Sequence, residues 1–130
     1  MKCRFHHVSL KVKDFDKVVK FYKEVLDLKE KLAWDMDGTP AVMLEMDDGG
    51  IVEVFGGGTD ADEANPRFGH LAVLVDDITG AYNKALSLGA KSQMVPTVTT
   101  IQGADKAMNV EIAFVVGLGG EVVEFFKVNP

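Results

Sequence analysis

The chain has one cysteine, Cys3, in 130 residues, so no internal disulfide can form. That usage suits a reducing cytosol rather than a secreted fold held by bridges, and Cys3 reads as a small strand residue with no redox role. No apolar run approaches the ~18 residues that a membrane span requires. Behind Met1-Lys2-Cys3-Arg4 come two histidines and alternating polar residues, not a signal-peptide core. A cytoplasmic protein with no membrane partner is expected. Basic residues are also scarce: 14 Lys and Arg stand against 20 Asp and Glu, a formal net charge of −6. Nucleic acids and anionic membranes reward clustered Lys and Arg, so neither is an expected partner. Apolar residues, at 47%, are plentiful enough for one compact domain or for two small modules fused around one sheet.

The chain also repeats itself. Phe5-His6-His7-Val8-Ser9-Leu10-Lys11-Val12-Lys13-Asp14-Phe15 is echoed without a gap by Phe68-Gly69-His70-Leu71-Ala72-Val73-Leu74-Val75-Asp76-Asp77-Ile78. His7 maps to His70, Val12 to Val75 and Asp14 to Asp77. Each half ends in an apolar run with one carboxylate inside it, Ile51-Val52-Glu53-Val54-Phe55 and Val122-Val123-Glu124-Phe125-Phe126.

Periodicity gives each half the order β-α-β-β-β. His6–Lys13 alternates as a half-buried strand, with Val8, Leu10 and Val12 on one face and His7, Ser9 and Lys11 on the other. Asp14 can cap a helix in which Phe15, Val18, Val19, Tyr22 and Leu26 recur at helical spacing, with Asp27 at its exit. Strands are expected at 28–35 and 41–46, and Asp48-Gly49-Gly50 turns the chain into a strand at 51–55. Gly56–Pro66 has the composition of a linker. In the second half a strand at 69–75 leads to a helix capped by Asp77, with Ile78, Ala81, Tyr82 and Ala85 inward and Gly89 closing it. Strands at 92–99, 110–116 and 121–128 complete the repeat, with a polar loop at 101–107 and a turn at Gly117-Leu118-Gly119-Gly120. The expected fold is therefore α+β: two βαβββ modules, residues 1–56 and 68–130, joined by a linker at 57–67 in a single domain with paired, curved, mixed sheets.

Within each half the histidine opens the first strand and the carboxylate sits in the last. Those strands can lie side by side, and the alternation puts Ile51, Glu53 and Phe55 on one face and Val52 and Val54 on the other. A lone strand histidine is more often packed than ligating, and a lone strand glutamate usually faces solvent. Glu53, however, is surrounded by Ile, Val and Phe, and an unpaired buried carboxylate costs several kcal/mol. The coincidence also occurs twice in register. His7, Glu53, His70 and Glu124 form a candidate four-ligand site, and imidazole with carboxylate but no thiolate suits Ni²⁺, Co²⁺, Zn²⁺, Mn²⁺ or Fe²⁺, one ion per site. His6 is the weaker of the adjacent histidines, because Gly69 holds its mirrored position. Glu45 and Glu111 lack partners in the other half and read as solvated or locally paired.

On His7-Val8-Ser9-Leu10-Lys11-Val12, Asp14-Phe15, Phe21-Tyr22-Lys23-Glu24-Val25-Leu26, Gly69-His70-Leu71-Ala72-Val73, Ile112-Ala113-Phe114-Val115 and Gly120-Glu121-Val122-Val123-Glu124, the chain resembles the vicinal-oxygen-chelate superfamily. That group contains glyoxalase I, epimerases, extradiol dioxygenases and fosfomycin- and bleomycin-resistance proteins. The resemblance covers nearly the whole chain and is strongest to bacterial-type glyoxalase I, which uses a His, Glu, His, Glu quartet. Epimerases of the fold carry Gln where Glu53 stands, and resistance transferases and dioxygenases use His, His, Glu.

The resemblance implies paired modules around a divalent ion, in a homodimer whose sites in the glyoxalase branch draw on both subunits. The implied activity is that of a lyase or isomerase on a small α-oxygenated carbonyl compound or thiol adduct. The ion would bind two vicinal oxygens and stabilise an enediolate, Glu124 would move the proton, and Glu53 would be mainly a ligand. The alternatives are a transferase or dioxygenase on the same scaffold, and a module that only binds a drug or ligand in an acidic cleft. Departures from the pattern concern the substrate pocket. Gly117-Leu118-Gly119-Gly120 replaces a common Asp-Pro-x-Gly, glycine around Gly56–Gly58 replaces a glutathione-binding Asn, and Lys11 replaces an Arg, losing its bidentate fork. Lys11 and Arg67 are the candidate substrate contacts.

Overall fold

A computed structural model of the chain describes residues 2–65, 67–118 and 120–130; Met1, Pro66 of the expected linker and Gly119 of the expected turn lie outside the described residues. The elements are β1 (Cys3–Lys11), α1 (Phe15–Leu26), β2 (Lys29–Met36), β3 (Thr39–Glu45), β4 (Ile51–Phe55), α2 (Asp60–Ala64), β5 (Leu71–Val75), α3 (Ile78–Ser87), β6 (Lys91–Gln102), β7 (Ala107–Val116) and β8 (Val122–Val128). The fold is α+β, and both halves run β-α-β-β-β. The neighbours are β2-β3-β4-β1 in the first half and β5-β8-β7-β6 in the second. In each, the first strand pairs in parallel with the last, while β2 with β3, β3 with β4 and β7 with β8 are antiparallel. By contact density the chain forms two compact units. One comprises the residues through His6, His70–Ile101 and Ala107–Pro130; the other comprises His7–Gly69 and Gln102–Lys106.

The helices form for the reasons that their sequences supply. The Asp14 carboxylate accepts from the Lys17 N–H and opens α1; Asp77 does the same for α3 through the Gly80 N–H. Asp27 ends α1 in the left-handed region, with φ 54°. Gly89, with φ 106°, ends α3: its N–H donates to the Leu86 carbonyl and the Ala90 N–H reaches the Ala85 carbonyl. Phe15, Val18, Val19 and Tyr22 pack on Val42, Leu44, Val52 and Val54, and Ile78, Ala81 and Tyr82 pack with Val75, Ala113 and Val115. Burying each such aliphatic chain contributes about 1.5–3 kcal/mol. Val52 and Val54 thus face α1, which leaves Ile51, Glu53 and Phe55 on the opposite face.

Several expectations need correction. Leu26, which recurs at the helical spacing of Phe15, Val18, Val19 and Tyr22, is half exposed, because α1 ends there and Asp27 turns the chain away. The 57–67 linker holds a helical turn, α2. Thr59 and Asp62 form a reciprocal capping box around it, and its lack of any buried residue is why no apolar period announced it. The strand expected at 92–99 runs to Gln102, so Ile101 lies in β6 and the loop shrinks to 103–106. The β-branched run Thr97-Val98-Thr99-Thr100-Ile101 extends the strand. It stops at Gly103, where a Cβ would meet Leu32 Cδ1 at 2.6 Å and the Ala33 carbonyl at 2.9 Å.

Candidate metal centre

β1 and β4 run in parallel with Ser9 opposite Glu53, and His7 lies one same-face position before Ser9. His7 Nε2 sits 3.3 Å from Glu53 Oε1, with the two side chains 1% and 6% exposed. The second half repeats the relation. β5 and β8 run in parallel with Ala72 opposite Glu124, and His70 lies two residues before Ala72. His70 Nε2 is 3.1 Å from Glu124 Oε1, the His70 ring meets Phe114 edge-on at 5.3 Å, and Glu124 is buried. Each histidine is thus paired with the glutamate of its own half by one register rule, applied twice.

The donor chemistry fits a divalent ion. Two ligand atoms about 2.1 Å from an ion and near a right angle are about 3 Å apart, close to both Nε2–Oε1 separations. Cys3 is exposed and free, so no thiolate enters the set. His6 is buried too, but its ring stacks on Phe126 at 4.1 Å. Glu45 is bound locally, to Lys31 Nζ at 3.0 Å.

The two candidate substrate contacts sit apart from these pairs. Lys11 closes β1 opposite Phe55, and Arg67 lies in the segment before β5. Both line a cavity of about 990 Å³ to which neither His7 nor Glu53 contributes. Asp62 lies near them; the Thr59 N–H and hydroxyl, and less strongly the Lys11 and Arg67 charges, hold its carboxyl below its ordinary value. Two features escaped the sequence reading. Ser9 is a buried hydroxyl on the glutamate face, and nothing in a lone serine distinguishes it. Trp34 meets Phe55 edge-on at 5.9 Å, a pairing that rests on the register of β2 on β3 and β3 on β4.

A family model described as the glyoxalase/bleomycin resistance protein/dioxygenase superfamily matches residues 4–114. The chain belongs to this superfamily. It is 29% identical over 131 residues to the Bacillus subtilis (strain 168) protein YwbC, covering 98% of this chain and 99% of that one. It is also 29% identical over 134 residues to a lactoylglutathione lyase of Haemophilus influenzae, covering 93% and 90%. Among solved structures, the methylmalonyl-CoA epimerase of Mycobacterium tuberculosis shares the fold, with a TM-score of 0.72, 19% identity, and coverage of 98% and 89%. Superfamily members act on small molecules and typically bind a divalent metal. Among the described residues no helix is long and apolar enough to cross a membrane.

Against this superfamily, the glycines at 56–58 take on a structural meaning. A Cβ on Gly56 would meet Pro40 Cδ at 3.0 Å, and one on Gly58 would meet the Val12 carbonyl carbon at 2.4 Å. Gly57 has φ 78°. These glycines, expected to open a linker, are packed against β3 and the end of β1.

Proposed function

We propose that His7, Glu53, His70 and Glu124 are the ligands of one divalent ion, and that the protein is a metal-dependent lyase or isomerase of glyoxalase I type acting on a small α-oxygenated carbonyl compound or thiol adduct. The observation that carries this reading is the doubled pair: each half buries one carboxylate 3.1–3.3 Å from one imidazole at equivalent register. A three-ligand transferase or dioxygenase site has no need for Glu53 to be buried against His7. A bound divalent ion would supply Lewis-acid stabilisation of charge developing on the substrate oxygens.

The chain's own residues do the rest. His7 and His70 present imidazole nitrogens, and Glu53 supplies a fixed carboxylate within a β-strand. Glu124 takes the proton from the carbon beside the carbonyl and returns it to the neighbouring carbon. Its place in β8, buried on the face opposite α3, keeps bulk water from competing for that proton. Either one chain or the two chains of a homodimer can supply the quartet, at one ion per chain in both cases.

The test is turnover of hemithioacetals and related α-hydroxy carbonyl compounds by metal-loaded protein. Glu124→Gln should lose turnover by at least about 100-fold, the usual minimum for a general acid-base group, while still binding metal. Full activity in that variant would refute the proton-transfer role. Native metal affinity in Glu53→Gln would refute the four-ligand set.

A further inference from the structure

The cavity of about 990 Å³ is lined by α1, the end of β1 and residues from α2 to Gly69, and neither His7 nor Glu53 contributes to it. Leu10 and Val12 of β1, with Val18 and Tyr22 of α1, line it, and all four belong to the cluster that packs α1 onto Val52 and Val54. Glu53 points the other way. Its size falls within the range of small-ligand sites, which run to about 1,000 Å³.

The lining divides sharply in chemistry. Phe21 and Phe68 contribute apolar surface, and they are 55% and 58% exposed. That area is available for a ligand's hydrocarbon to remove from water. Lys11, Lys17 and Arg67 supply positive charge, and among the described residues none of them makes an ion pair. Three carboxylates share the lining: Asp14 accepts from the Lys17 N–H, Asp62 is bound in the capping box of Thr59 close to the Lys11 and Arg67 charges, and Glu63 is exposed, so four cations stand against three acids. Lys13 also lines the cavity, but its ammonium is held by Asp60, which does not.

We infer that this cavity is a second ligand site, separate from the His–Glu pairs, for a small amphipathic carboxylate whose hydrocarbon lies between Phe21 and Phe68 and whose anionic head meets Lys11, Lys17 and Arg67. Guanidinium and ammonium groups give charge-assisted hydrogen bonds to a carboxylate, and the aromatic walls give no specificity beyond an apolar body. The inference takes Lys11 and Arg67, the expected substrate contacts, as contacts of this second ligand instead, and it does not depend on the metal or on the reaction assigned above.

Calorimetric titration of the full-length protein with decanoate tests it, with decylamine and inorganic phosphate as comparison ligands. Saturable binding of decanoate near one per chain is expected, without saturable binding of decylamine. Arg67→Glu and Lys17→Glu, both at exposed positions, should each weaken decanoate at least ~10-fold, the effect of losing about 1.4 kcal/mol of interaction. Phe68→Ser should weaken it comparably, and phosphate should bind far more weakly than decanoate. Glu53→Gln should stay within ~2-fold of the wild type, since additivity holds between sites that share no contact. Absence of saturable binding, equal binding of decylamine or of phosphate, or unchanged affinity in the charge-reversed variants would overturn the inference. So would a loss in Glu53→Gln as large as in Arg67→Glu, because it would put the ligand on the glutamate face.

Discussion

Gly58→Ala separates a flexible linker from a packed one. In a flexible linker an added methyl group is harmless. Here the new Cβ would stand 2.4 Å from the Val12 carbonyl carbon and 2.7 Å from the Lys13 nitrogen. Those atoms belong to the backbone leaving β1, so the strain cannot be relieved by rotating a side chain. Separating them by about 1 Å would break the 2.9 Å bond from the Gly58 N–H to the Val12 carbonyl, a loss of about 1 kcal/mol. Overpacking adds about 1–3 kcal/mol, for about 2–4 kcal/mol in all. At about 3–5 °C per kcal/mol for a chain of this size, the melting temperature should fall by about 10 °C. Urea denaturation measures the free energy directly, and an unchanged m-value would show that the effect lies in the native state. A loss below about 0.5 kcal/mol, the usual scale for surface changes, would refute the packed reading. The same steric wall means that an asparagine at Gly58 would need the end of β1 to move.

Three further outcomes are expected. Asp27→Gly should raise stability by about 0.5–1 kcal/mol, since φ 54° is strained for any residue with a Cβ; a lower melting temperature would contradict the strain. Asp62→Asn should cost stability near neutral pH but less in acid. The folded carboxyl titrates below its ordinary value of 3.8, so its contribution is present above that value and fades as pH falls through the folded one; a difference between wild type and variant that did not narrow from pH 6 to pH 3 would count against the capping box. Light scattering at micromolar concentration should give the mass of a homodimer, and a monomeric mass would remove dimerisation from the account.

The doubled βαβββ order and both helix caps were legible because they rest on local rules. Asp14 and Asp77 precede apolar periods, and Gly89 follows one. Glu53 and Glu124 were legible because a carboxylate inside an apolar strand needs a partner, and the repeat named the partner. Leu26 shares the helical period yet is exposed, because periodicity does not know where a helix ends relative to the sheet beneath it. α2 was missed because five residues with no buried face carry no apolar signal. The glycines at 56–58 were misjudged for a different reason: composition cannot tell a glycine needed for freedom from one needed for lack of a side chain. The cavity beside α1 lay beyond sequence altogether, since it depends on where α2 and Arg67–Gly69 lie beside the end of β1.

The account's central claim is that two His–Glu pairs serve one ion, and stoichiometry tests it most directly. Calorimetric titration of demetallated protein with Ni²⁺, Co²⁺, Zn²⁺ and Mn²⁺ should give one tight ion per chain, weakened alike by Glu53→Gln in the first half and Glu124→Gln in the second. Two ions per chain, each sensitive to only one of those substitutions, would make the pairs independent sites, and no saturable binding would make them structural contacts; either result contradicts the claim.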